Sequence, residues 1–362
     1  MTENTEITLI SLGWSHFFQQ QLESDEYELI PARVCRQDIN QYLLMSERGR
    51  LTGILPGRLR REAYSKADLP TVGDWVLVSS IDAGEAGTVQ IERLLERKSR
   101  FSRQEAGETV DEQVVAANVD TVFIVSGLDD DFNASRIERY LLLSRDSGAL
   151  PVILLNKADI CDRLDQSLSD LRPVAGSTPF HVISALEDEG LDDIRQYIGE
   201  GSTCALMGSS GVGKSTIINA LLGYDRFETG AVRDSDSRGR HTTTFREMVE
   251  IPSGGLIIDT PGMRELQVWG DLNSLSRSFE DIEEIAMGCQ FRDCQHHTEP
   301  GCAIDAAIES GELDQDRLER YRKLGRELAH LEGQQDAAAR AEKKQERKRF
   351  ARLIRNKPDK RD

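Results

Sequence analysis

The chain of 362 residues has room for two or three domains. Its net charge of −18 excludes a uniformly basic nucleic-acid binder, and no stretch reaches the ~18 apolar residues of a membrane span. The first residues, MTENTEITLISLGW, carry no basic segment ahead of an apolar one, so no secretion signal and a cytoplasmic location are expected.

In chain order, residues 1–26, with Leu12-Gly13-Trp14, read as an extension that packs on the body. Residues 27–105 read as short strands broken by turns. Ala32 to Cys35, Gln41 to Met45 and Trp75 to Val78 are strand-like, and Leu69-Pro70 and Val72-Gly73-Asp74 mark turns, a pattern that predicts a small β barrel or sheet. Arg58, Arg60 and Arg61, with Arg97, Lys98, Arg100 and Arg103 further on, are candidate phosphate contacts.

Residues 106–268 carry the nucleotide motifs. Val152 to Leu155 is an apolar strand run ending in Asn156-Lys157-Ala158-Asp159. Asp159 offers two acceptor oxygens that match guanine's N1–H and exocyclic amine, donors that adenine lacks. Asn156 can bond to the base edge or tie loops together, and the Lys157 stem can lie over the base. A second strand run, Phe180 to Ile183, ends in Ser184-Ala185, where a backbone NH can meet guanine O6.

Gly208 to Ser215, GSSGVGKS, fits the phosphate-loop pattern at every fixed position, between the apolar run Cys204 to Met207 and a helical run after Ser215. Gly208, Gly211 and Gly213 allow a tight turn. Consecutive NH groups from Gly208, Ser209, Ser210, Gly211, Val212, Gly213 and on to Thr216 then point at phosphate. Lys214 is expected to reach the β- and γ-phosphates, and Ser215 to bind Mg²⁺.

Next, Gly239-Arg240-His241-Thr242-Thr243-Thr244 occupies the place of a first switch. A threonine there is the expected magnesium ligand; spacing alone does not single one out, and Thr243 is the one expected here. Leu256 to Ile258 leads into Asp259-Thr260-Pro261-Gly262. Asp259 is expected to hold Mg²⁺ through water, and the Gly262 NH to donate to the γ-phosphate. Met263 follows, where Ras-like enzymes carry a water-orienting glutamine. A thioether cannot orient water, so slow intrinsic hydrolysis is expected, with His241 the internal candidate for a catalytic residue beside Lys214. The base motif precedes the phosphate loop by some fifty residues, the reverse of an ordinary GTPase, so the order is circularly permuted.

Residues 269–335 hold Cys289-x4-Cys294-x-His296-x5-Cys302, three thiolates and an imidazole that suit a closed, structural zinc site. His297 is an alternative to His296, and disulfides are the rival reading of the cysteines. Leu318, Tyr321, Leu324, Leu328 and Leu331 recur at helical spacing. The tail, 336–362, is basic: from Arg340 to Asp362 eleven Lys and Arg face four Asp and Glu, so it carries +7 and the remainder −25. Such a segment can contact phosphates while an acidic body limits nonspecific binding.

The series NKAD, SA, GSSGVGKS, GRHTTT, DTPG and C-x4-C-x-H-x5-C resembles the bacterial small-ribosomal-subunit-dependent GTPase A family of circularly permuted GTPases, from roughly Tyr27 to Leu331. The resemblance implies a multidomain chain: an N-terminal all-β OB-fold barrel, a central α/β permuted P-loop GTPase domain and a C-terminal, mainly helical zinc domain. It implies binding to the small (30S) ribosomal subunit and its 16S rRNA late in maturation, stimulation by that subunit, and release of an assembly factor. It also implies an apolar residue at Met263 and a catalytic role for His241. A monomer with no membrane partner is expected; a regulatory GTPase activated by another RNA or by a protein is the alternative.

Overall fold

The structure, a computed structural model, describes residues 7–39, 41–80, 87–104, 112–227, 246–259, 275–276, 279–291, 294–296, 299–326 and 328–329. The chain divides into two compact units, Met1–Arg103 with Glu112–Gln267, and Gln104–Asp111 with Val268–Asp362. Among the described residues no helix is long and apolar enough to cross a membrane.

The first unit begins with a short helix α1 (His16–Gln19), followed by strands β1 (Ile30–Gln37), β2 (Tyr42–Ser46), β3 (Gly49–Ile54), β4 (Trp75–Ser80) and β5 (Thr88–Leu94), with helix α2 (Gly57–Glu62) between β3 and β4. These five strands run β1-β2-β3-β5-β4 and close by pairing β4 to β1, with β3 and β5 parallel. Side chains alternate across the wall, as a strand's two-residue period requires. Tyr42, Leu44 and Ser46 of β2 are buried, and Val34, Val76, Val78, Val89 and Ile91 fill the barrel with them. Ahead of Tyr27, Leu12, Trp14 and Phe18 cover Trp75, Leu77 and Leu95, and Trp14 meets Trp75 edge-on at 4.8 Å.

A two-stranded sheet follows, β6 (Arg100–Gln104) with β7 (Glu112–Ala117). The boundary expected at 105/106 therefore falls between paired strands.

The nucleotide-binding half contains β8 (Thr121–Gly127), α3 (Ala134–Ser147), β9 (Leu150–Asn156), α4 (Leu164–Ala175), β10 (Phe180–Val182), α5 (Leu191–Arg195), β11 (Thr203–Met207), α6 (Lys214–Leu222), β12 (Glu247–Glu250) and β13 (Leu256–Asp259). Their order is β10-β9-β8-β11-β13-β12; all are parallel except β12. The chain thus enters at the middle of its own sheet, and the strand before the phosphate loop, β11, lies beside β8 on the side away from β9. Every residue of β8 and β11 is buried, in keeping with a parallel sheet covered on both faces. Phe123, Leu154, Leu206, Ile217 and Ile257 belong to one core.

β12 also pairs with β1 of the barrel, Arg36 opposite Glu247, so the barrel and the nucleotide sheet form one continuous eleven-stranded system.

In the second unit the described helices are Glu280–Ala286, Ala303–Ser310 and residues 315–326. Leu318, Leu324 and Leu328 are buried, as their spacing predicts, and Tyr321 packs edge-on against Phe279 at 5.4 Å. Arg317 lies over Phe279 at 4.3 Å and reaches both carboxylate oxygens of Asp281, at 3.0 and 2.9 Å. Leu331 and the basic tail lie outside the described residues.

Candidate nucleotide site and metal cluster

Because β9, β11 and β13 are parallel strands of one sheet, Asn156, Gly208 and Asp259 all emerge at its carboxyl edge, where open α/β sheets bind ligands. The phosphate loop runs from β11 into α6, with Gly213 as N-cap at φ +98°. A side chain there would put Cβ 2.2 Å from Asn156 Nδ2, and one at Gly208 would come 2.3 Å from the Val125 carbonyl. Both positions therefore require glycine for space as well as for turn geometry. Lys214 Nζ donates to the carbonyls of Gly208 and Ser209, at 2.8 and 2.5 Å.

Asn156 is buried and acts as a tie between loops. Its Nδ2 donates to the Val212 carbonyl at 2.8 Å, and its Oδ1 accepts from the Ala185 NH at 3.0 Å. Of the two roles the sequence leaves open for this residue, the structure displays the second. The Ser184 NH donates to the Glu189 carbonyl. Both NH groups of Ser184-Ala185 are thus engaged, and a base oxygen at Ala185 would share its NH with Asn156. The Ser184 hydroxyl donates to Asp159 Oδ1 at 2.5 Å, fixing an otherwise exposed carboxylate. Lys157 adopts a left-handed conformation, φ +69°, and its ammonium meets Asp129 Oδ2 at 2.5 Å. Burial raises the Asp129 pKa, but the Lys157 bond and charge together with main-chain NH groups outweigh it and hold the carboxyl below the usual range.

Asp259 ends β13, and burial pushes its pKa up against the pull of the nearby Lys214 charge. Ser215 stands in the first turn of α6, which follows the adjacent strand β11. A helix-start hydroxyl and a strand-end carboxylate, both hard oxygen donors, fit Mg²⁺. His241, Thr243, Gly262 and Met263 lie outside the described residues.

In the second unit the ligand atoms of Cys289, Cys294, His296 and Cys302 all lie within 4.8 Å of one another. His296 Nδ1 is 3.5 Å from Cys289 Sγ and 3.6 Å from Cys302 Sγ. Donors bound tetrahedrally to zinc at about 2.05 Å (N) and 2.3 Å (S) stand about 3.6 Å apart, so the cluster has the dimensions of such a site. The Ala303 NH donates to Cys289 Sγ at 3.4 Å, which suits a thiolate. His296 is the histidine brought to the cluster; His297 lies outside the described residues. All six cysteines are free, which removes the disulfide reading, and burial pushes the Cys35 thiol up to about 12.

One basic candidate is corrected. Arg97 is only 11 % exposed; it pairs with the buried Asp74 at 2.8 Å and donates to the carbonyls of Ala67 and Leu69, so it belongs to the interior. An Arg followed by Lys and Ser reads as surface in sequence, and nothing local marks its partner 23 residues earlier.

The RsgA GTPase family model matches residues 94–269. Over 354 residues, 98 % of this chain and 93 % of the relative, the chain is 44 % identical to the small ribosomal subunit biogenesis GTPase RsgA 2 of Vibrio parahaemolyticus. The chain belongs to the RsgA GTPase family. It is accordingly a GTP phosphohydrolase. Among solved structures, YjeQ from Thermotoga maritima superposes with a TM-score of 0.63 at 27 % identity, over 83 % of this chain and 99 % of that one. YloQ, a circularly permuted GTPase, does so at 0.58 and 22 % identity, over 85 % and 98 %, and shares the fold. The residues that sequence reasoning missed, Asp129 and Arg136, sit in the loop after β8 and at the start of α3; Asn133, the N-cap that accepts from the Arg136 NH, was a readable signal.

Proposed function

We propose that this GTPase binds the small (30S) ribosomal subunit and acts late in its maturation, hydrolysing GTP slowly alone and faster on the subunit, with hydrolysis acting as a release switch. The observation that carries this reading is the near full-length likeness to a relative named for small ribosomal subunit biogenesis. The cytoplasm is its expected location.

In this reading Asp159, held by Ser184, takes the guanine N1–H and amine, and the Lys157 stem lies over the base. The NH groups of 208–216 cradle the phosphates, and Lys214 leaves its two carbonyl partners for the β- and γ-phosphates. Bound Mg²⁺, held by Ser215, Thr243 and Asp259, would neutralise charge between those phosphates. Gly262 donates to the γ-phosphate, and His241 orients the attacking water that Met263 cannot. Zinc at Cys289, Cys294, His296 and Cys302 is structural, because the four protein donors leave no open position. The barrel, closed as β1-β2-β3-β5-β4-β1, is an OB fold. The arginines of α2, Arg58, Arg60 and Arg61, and the basic tail are its candidate contacts to 16S rRNA.

The test is GTP turnover by the purified protein alone and with small subunits, using ATP and large subunits as controls. A slow rate raised many-fold by small subunits alone supports the proposal. A rate that ignores them, yet responds to another structured RNA or a protein, replaces the ribosomal partner and leaves the GTPase intact.

A further inference from the structure

The loop between β8 and α3 carries charged residues that neither nucleotide motif contains. Asp129 holds Lys157, as described. Two residues on, Asp131 accepts from Arg136 Nη1 at 2.7 Å, and the same nitrogen donates to Ser209 Oγ at 2.5 Å. Ser209 is the first variable residue of the phosphate loop, and its carbonyl is the closer of the two that accept from Lys214 Nζ. A continuous path therefore leads from Asp131 through Arg136 and Ser209 to Lys214. Its two middle residues, Arg136 and Ser209, stand 73 positions apart in sequence, and the permutation is what puts Arg136 ahead of the loop it touches.

The placement of Arg136 has an electrostatic cost. It stands in the first turn of α3, capped by Asn133 Oδ1 accepting from its NH at 2.9 Å, and no acidic side chain lies in that turn. A cation at a helix N-terminus is opposed by the macrodipole. Asp131 and Ser209 offset that opposition. Arg136 also remains a third exposed, so burial of its stem does not account for its position.

We propose that Arg136 is a positioning residue for phosphoryl transfer. By holding Ser209 Oγ, with Asp131 setting the guanidinium, it fixes the turn at 208–210 and so the point from which Lys214 moves onto the phosphates. It acts through the loop and not on the substrate. The inference rests on the GTPase reading of the site.

The experiment compares full-length wild type with Arg136→Ala, Arg136→Lys, Ser209→Ala and the Arg136→Ala/Ser209→Ala double variant. It measures steady-state kcat and KM for GTP and, in parallel, thermal midpoints. A small displacement of a catalytic group is enough to cost a large factor in rate. The expected result is a loss of about tenfold in kcat for Arg136→Ala and for Ser209→Ala, with KM changed less. The double variant should be no worse than either single one, since both break the same bond, and Arg136→Lys should recover most of the loss. Ser209→Ala removes one oxygen, so it keeps the test alive if Arg136→Ala folds poorly. Wild-type kcat in either single variant, or losses that multiply in the double, would overturn the proposal. Wild-type protein without GTP turnover would instead overturn the reading beneath it, and the proposal with it.

Discussion

Arg33 Nη2 donates to the main-chain carbonyl of Asn118 at 3.0 Å, across 85 residues of chain. The same guanidinium donates to the carbonyl of Leu12 and, through Nε at 3.2 Å, to that of Gly73, and it lies 5.6 Å from the Trp75 ring. One fully buried cation thus joins the N-terminal extension, a barrel turn and the entry to the nucleotide half. Burial pushes its pKa down to about 10, which leaves it charged at neutral pH. Arg33→Met should lower stability by about 2–4 kcal/mol, because the carbonyls of Leu12 and Asn118 lose this donor in the interior and that of Gly73 keeps only the Asn118 amide. The check is a urea titration; a midpoint equal to wild type would deny Arg33 this role.

Asn156→Ala removes the bonds to Val212 and Ala185 at once, so the phosphate loop and the base loop lose their common anchor. Affinity for GDP should fall by about thirtyfold or more, equivalent to about 2 kcal/mol. Fluorescent-nucleotide titration measures this directly. A loss below threefold would mean that the two loops hold their places unaided.

Asp159→Asn replaces an acceptor-only group with one that also donates. Guanine's two donors then lose their match, while xanthine presents a carbonyl where guanine has its amine. GTP affinity should fall about a hundredfold or more and xanthosine triphosphate should be favoured. Competition between the two nucleotides tests it, and an unchanged GTP preference would move base reading elsewhere.

The Lys157–Asp129 pair gives a pH prediction. Asp129 has a folded-state pKa below its reference value of 3.8, so the pair's stabilisation is complete above that value and is lost only as pH falls through the folded one. Both side chains are about a quarter exposed, which limits the effect to about 1 kcal/mol. Asp129→Asn should therefore lower the thermal midpoint by the same amount at every pH from about 5.5 to 8. A cost that varies across that range would contradict a depressed carboxyl.

Removing metal with a strong chelator under reducing conditions should release a single zinc per chain and reduce the helical signal, because the thiol cluster holds the start of the helix Ala303–Ser310. Nucleotide affinity, which resides in the other unit, should be retained. Full helicity after the metal has gone would make the site dispensable for folding.

The parts of this molecule that were legible in sequence are those encoded by contiguous residues. The phosphate loop, the NKAD strand end, the Cys and His spacing and the stripe of Leu318, Tyr321, Leu324 and Leu328 are each local patterns, and each lies in the element expected. Three barrel strands were readable as short strand-like runs between turns, but closure was not, since β1–β4 and β3–β5 pair segments far apart in the chain. Nor were the partners of Asn156, 56 and 29 residues away. Arg97 and Arg136 illustrate the same gap from opposite sides. Any arginine can be solvated, and only a distant carboxylate or hydroxyl distinguishes one that is not.

Strand β12 has β13 on one flank and the barrel's β1 on the other, Arg36 facing Glu247. Without the barrel it would be the terminal strand of the nucleotide sheet, with unpaired NH and carbonyl groups open to another chain. The opposite margin, β10, is only three residues long, a weak template for such pairing. The barrel's β1 covers part of that edge, at the Arg36–Glu247 pair. A fragment that begins after Ala117 is expected to aggregate even though it retains every residue of the guanine and phosphate motifs.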